Sequence, residues 1–151
     1  MKSLKLIVVT FLVGSFFAFT ITTEKAPKKV TYAFELKFPK AKKVKWEKEN
    51  DTEWEVEFKM NKTEYSANFL EDGTWTETEH EVNKRDIPAI VKSSLLSNFP
   101  GFKIEEAEIS ESKNGTVYEF EIEKDKEEIE VVIDVNGNIV KKTNESKVDK
   151  D

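Results

Sequence analysis

Cysteine is absent from the 151 residues, histidine occurs once, and glycine and proline number only five and four. Each scarcity removes a class of function. Without cysteine there is no disulfide, no thiolate metal site and no thiol nucleophile. A lone His80 cannot build a multi-histidine zinc cage. The glycines stand apart, at positions 14, 73, 101, 115 and 137, so no glycine-rich loop can cradle a phosphate. Basic residues are outnumbered, 24 Lys+Arg against 30 Asp+Glu, and the net charge of -6 argues against a nucleic-acid partner. The longest apolar run, residues 6–19, is shorter than the roughly 20 residues a membrane span needs.

That run follows Lys2 and Lys5, and a basic start with a short apolar stretch is the build of a secretory signal. Residues 1–20 are therefore expected to be a cleaved signal peptide, with an uncleaved N-terminal anchor as the alternative. Their removal leaves 22 basic and 30 acidic residues, net -8. The expected product is an acidic periplasmic or secreted body without stable membrane insertion. About 130 residues can bury a sufficient core without disulfides.

What is present is a pattern written twice. Ile87-Pro88 lies 61 positions after Ala26-Pro27, and the same offset relates Val91 to Val30, Leu95 to Phe34, Phe99 to Phe38 and Pro100 to Pro39. All four prolines fall into this register. Further on the offset is 64: Trp54, Val56 and Phe58 correspond to Tyr118, Phe120 and Ile122, and Asp72-Gly73 corresponds to Asn136-Gly137. Each copy predicts one helix and four strands. Pro27 and Pro88 suit a first helical turn, with Asp86 as an N-cap, and Pro39 and Pro100 terminate the helices. The strands alternate apolar with polar, so each has one buried and one wet face. The expected fold class is α+β: two tandem helix-plus-four-strand units forming one antiparallel sheet, with adjacent helices on one face over a continuous core. The expected boundaries are 21–81 and 82–143, with residues 144–151 as a frayed charged tail and residues 79–85 as a charged connector.

Phe38-Pro39-Lys40-Ala41-Lys42, then Trp46-Glu47, Glu55-Val56-Glu57-Phe58, Tyr65 and Asp72-Gly73-Thr74-Trp75 together resemble PepSY-like domains, exported modules likened to the β-lactamase-inhibitor protein. The second copy departs from this pattern, with Ala107 in place of Trp46 and Ile139 in place of Trp75. The motifs are structural rather than catalytic. The resemblance implies a non-enzymatic binding or inhibitory role, without carrying over inhibition of a β-lactamase.

No catalytic residue, cofactor site or metal site emerges. His80 sits between Glu79 and Glu81 on the connector, where it reads as a solvent-exposed histidine without a nucleophile to serve. Asp134-Val135-Asn136-Gly137 has its glycine three positions after the aspartate instead of the five of a calcium loop, and reads as a hairpin turn. Glu53, Glu55 and Glu57 form an acidic comb on one wet strand face, repeated as Glu119, Glu121 and Glu123. These six, with Trp75 as an exposed apolar anchor, are the candidate partner-binding residues, for a protein or peptide in the exported compartment. The alternative is a structural envelope protein whose comb is plain solvated surface.

Overall fold

The computed structural model describes residues 25–145. The signal-peptide reading of residues 1–20 lies outside the described residues, as do residues 146–151 of the tail. The element order is α1 (Lys28–Lys37), β1 (Lys42–Asn50), β2 (Glu53–Met60), β3 (Thr63–Leu70), β4 (Trp75–Glu81), α2 (Ala89–Asn98), β5 (Lys103–Ser112), β6 (Gly115–Lys124), β7 (Glu127–Asp134) and β8 (Ile139–Glu145). One eight-stranded sheet runs β1 to β8 in sequence order, and every neighbouring pair is antiparallel.

The prolines begin the helices from just outside them. Pro27 has φ -57° and ψ 148°, and its carbonyl accepts from the N–H groups of Val30 (2.9 Å) and Thr31 (3.1 Å). Pro88 stands likewise at φ -54° and ψ 140°. Proline is thus the N-cap, not the first helical residue, and Asp86 is not a cap; its N–H instead donates to the Asn83 carbonyl in the preceding turn (2.8 Å). The fixed proline φ is compatible with a helix while its extended ψ is not, so the helix starts one residue later. At the other ends Phe38 and Phe99 leave the helical region, with ψ 62° and 67°, because each precedes a proline.

Apolar residues of the strands face the helices. Trp54, Val56 and Phe58 stand opposite Phe69, Ala67 and Tyr65 across the β2–β3 pair, and Phe120 and Ile122 opposite Val131 and Ile129 across β6–β7. The core is nevertheless two clusters instead of one continuous body. Val30 and Phe34 of α1 seal the first, around Trp54, Val56, Phe58, Ala67 and Phe69. Val91 and Leu95 of α2 seal the second, around Phe120, Ile122, Ile129, Val131 and Ile133. What divides them is the polar character of β4 on its helix side: Thr78 stands opposite Glu111, and His80 opposite Ile109. Buried Thr78 accepts a hydrogen bond from Trp75 Nε1 at 2.8 Å.

One pair of turns fixes each helix on its sheet. Gly73 (φ +87°) and Gly137 (φ +85°) occupy the β3–β4 and β7–β8 turns. A Cβ at Gly73 would lie 2.9 Å from the Lys29 carbonyl oxygen, and one at Gly137 3.2 Å from the Ile90 carbonyl oxygen, so the helix backbone leaves little room for a side chain. Asp72 and Asp134 close these turns by accepting backbone N–H bonds from Thr74 (2.8 Å) and from Asn136 and Asn138 (2.9 Å each). Against the expected frayed tail from residue 144, the last strand continues through Glu145, because Glu145 and Asn144 still pair with Glu128 and Ile129.

Candidate functional site

The helices cover one face of the sheet and leave the other bare. Side chains on this open face come from the alternate positions of every strand, and the register sets them in rows. One row runs Glu47, Glu55, Asn68, Glu77, Ser112; the next runs Lys45, Glu57, Ser66, Glu79, Ser110. A third joins Glu81, Glu108, Glu119, Val132 and Lys141. The two expected glutamate combs on β2 and β6 thus lie on the same face. The space between them is filled by a third set, Glu77, Glu79 and Glu81 on β4 and Glu106 and Glu108 on β5, which completes one acidic field.

The comb residues differ in what they can offer. Glu53 is buried, 3% exposed, and is held by Thr76 Oγ1 (2.8 Å) and Asn50 Nδ2 (3.3 Å), so it is a structural strut. Glu57 is exposed and ion-paired with Lys45 at 3.3 Å. Glu55, Glu119, Glu121 and Glu123 are half-buried on the open face. Trp75 is not brought together with them. It stands opposite Phe69 on the helix side of the sheet, packed on the first core, with Lys37 Nζ 3.6 Å from its ring centroid. A partner seated on the comb cannot use it as an anchor, because an odd number of positions along β4 separates it from the open-face residues once the bulge at Thr76 is counted.

Crowding of like charge in a half-dry setting governs the field's chemistry. Burial first, and then Glu77, Glu119, Glu108 and Glu55, push the Glu79 carboxyl up to about 9. Glu119 is pushed up to about 7 by burial and by Glu77, Glu130 and Glu108, with Lys141 opposing. Glu55 also reaches about 7, through burial and then Glu49, Glu57 and Glu47. Glu77 is raised by burial, although the Ser110 hydroxyl donates to it and draws it back. Oxygens of Glu77, Glu79 and Glu119 lie within 4.8 Å of one another. Three carboxylates this close either share protons, which relieves their repulsion, or could offer oxygens to a cation.

His80 is not a linker residue. It lies in β4 on the helix side, half-buried, with its ring 4.7 Å from that of Tyr65 at 36°. Burial lowers its pKa, against a smaller opposing pull from Glu111. Sequence reasoning missed Glu77, Glu79, Glu108 and Ser110 as members of the site. Their signal was the period-2 glutamates of residues 77–81 and 106–108, the same one that marked the combs.

An α+β module whose single antiparallel sheet is clad in helices on one side and bare on the other is the class this geometry defines. The chain belongs to the family described as "Putative beta-lactamase-inhibitor-like, PepSY-like", whose model matches residues 18–64 and 55–141. Among solved structures it is similar to a BLIP-like protein from Bacteroides fragilis, at 17% identity and a TM-score of 0.75 over 85% of this chain and 92% of that one. A DUF2874 family protein from Bacteroides uniformis (16% identity, TM-score 0.74) and a chain from Bacteroides eggerthii described as "putative periplasmic proteins" (16%, 0.73) each match over 80% of this chain and 90% of theirs. At these identities the likeness is one of fold. No curated protein matches the sequence. Among the described residues no helix is long and apolar enough to cross a membrane.

Proposed function

We propose that this is an exported, non-enzymatic module of two tandem helix-plus-four-strand units that binds a protein or peptide on its open sheet face. The observation that carries the reading is the bare face itself: half-buried carboxylates from β2, β4, β5 and β6 are held with raised proton affinity, a state that a cationic partner surface would relieve. The family's likeness to an inhibitor and the periplasmic description of a structural neighbour support export and a binding role. The matched offsets of 61 and 64, with Gly73 and Gly137 in equivalent contacts, support the duplication.

The test is site-specific photo-crosslinking in the exported fraction. A photoreactive residue at Glu121, on the open face, should yield one discrete, saturable adduct, whereas one at Leu36, 66% exposed on the outer side of α1, should not. The adduct's partner should associate more slowly, and with less sensitivity to salt, after Glu55, Glu57, Glu119 and Glu121 are changed to Gln, because charges that water still reaches act mainly on encounter. Adducts at both positions alike, or at neither, would remove the case for a binding face.

A further inference from the structure

The β3–β4 ladder stops at Ser66–Glu79, while β4–β5 pairing continues to Glu81–Glu108 and β2–β3 pairing to Met60–Thr63. The two sets of strands part at this end of the sheet, and a cavity of about 510 Å³ opens between them. Its walls differ in charge: lysines mixed with Glu57 and Glu64 on one side, glutamates without a lysine on the other. Lys43, Lys45 and Lys59 line the side built from β1 and β2, and a bulge between Lys42 and Lys45 places Lys43 at φ 56°. Lys45 and Lys59 are ion-paired with Glu57 and Glu64. Glu79, Glu81, Glu106 and Glu108 line the β4–β5 side, which contributes no lysine to the lining. The rings of Tyr65 and His80, tilted against each other, lie between the walls.

We propose that this cavity is a binding site for an arginine side chain of an extended peptide segment, with an acidic neighbour in the same segment falling to the lysine wall. This rests on the partner-binding reading above and locates its specificity. A guanidinium fits the glutamate wall better than a metal ion does. Among the described residues the one group of three or more carboxylates whose oxygens lie within 4.8 Å of one another is Glu77, Glu79 and Glu119, and of the four wall glutamates only Glu79 belongs to it. Carboxylates spread along two strands match a planar group with five N–H donors instead of a single point charge. The aromatic pair favours arginine over lysine, since a guanidinium stacks on ring faces and is more weakly hydrated. Burial lowers the His80 pKa, which disfavours a positive charge that would repel the guest.

The experiment titrates isotopically labelled protein with the peptide acetyl-Gly-Arg-Asp-Gly-amide and follows backbone amide resonances. A second titration uses the same peptide with citrulline, the neutral isostere, in place of arginine. Saturable shifts confined to Tyr65, Ser66, His80 and Glu81, weakened about fivefold or more by citrulline and by the double variant Glu81→Gln/Glu108→Gln, would support the site. The citrulline arm uses the unaltered protein and so decides even where the variant folds poorly. Equal binding of the two peptides, shifts centred elsewhere on the face, or no saturable shift would overturn the inference. An adduct at residue 121 that persists beside such a failure leaves the binding face standing without this pocket; loss of the adduct beside a positive titration would do the reverse.

Discussion

The acidic field should make this protein more stable in mild acid than at neutral pH, against the habit of most carboxylate-rich proteins. The unfolded chain binds protons at its glutamates near 4.5, whereas in the folded state Glu55 and Glu119 bind them up to about 7 and Glu79 up to about 9. Between those limits the folded form holds the extra protons, so stability falls as pH rises. The contribution is full below about 4.5 and is lost progressively through about 7 to 9. One excess proton is worth about 1.4 kcal/mol per pH unit, and the field shares protons, so its members do not add independently. Water still reaches these half-buried groups; halving the single-proton figure for that screening leaves a loss of about 2 kcal/mol between about pH 5 and about pH 8. Urea titrations at both pH values, with m constant, would read it as a lower midpoint at the higher pH. Glu79→Gln should flatten the dependence by stabilising the protein at high pH only. Below the field's range Asp72 and Asp134, whose carboxyls are lowered by hydrogen bonds from the Thr74 and Asn138 side chains and then by turn N–H groups, and Glu64, lowered by Lys59, act in the opposite sense. A midpoint that climbs steadily from pH 5 to 8, or a Glu79→Gln slope equal to the wild type, would refute the argument.

Three further outcomes are expected. Phe58→Ala and Phe120→Ala, each at a site under 3% exposed, should cost about 3–5 kcal/mol in denaturant titrations, and exposed Glu57→Ala within about 0.5 kcal/mol; equal losses would mean the faces are misassigned. Gly73→Ala should destabilise more than Gly115→Ala, since a Cβ at Gly115 meets nothing within 4 Å although its φ is +119°, while at Gly73 it strikes the helix backbone; equal midpoints would count against the turn–helix contact. N-terminal sequencing of the exported protein should find residues 1–20 removed, whereas an intact N-terminus in the membrane fraction would favour the anchor.

The strands that speak in alternating apolar residues were legible in the sequence, β2, β3, β6 and β7 above all, because period 2 and a buried face are the same fact. The helices were legible from Val30/Phe34 and Val91/Leu95 spacing. What stayed hidden traces to β4. Its helix-side positions are Thr78 and His80, not aliphatic residues, so residues 79–81 looked like a charged connector. The same polarity hid the split of the core, which follows from Thr78 facing Glu111. Once β4 is carried through Glu81 instead of ending at the connector, Glu77 and Glu79 fall between the two combs by register alone. The placement of Trp75 was out of reach for another reason: a bulge between Asn68 and Phe69 in the β3–β4 pairing reverses the alternation at that point, and bulges leave little trace in composition.

The strictly sequential strand order shapes how the chain reaches this state. Hairpin closures need only short loops, and the one long closure is β4 to β5, whose connecting segment holds α2. A chain made N-terminus first can therefore seat β1 to β4 on α1 before Lys103 has emerged. During that interval β4 is an unpaired edge, the kind of ribbon that captures other chains. Its residues Glu77, Glu79, His80 and Glu81 make it a poor template for such capture, since like charges face any second copy that approaches. The glutamates that make the finished face costly to hold at neutral pH would thus act as gatekeepers for the half-made sheet.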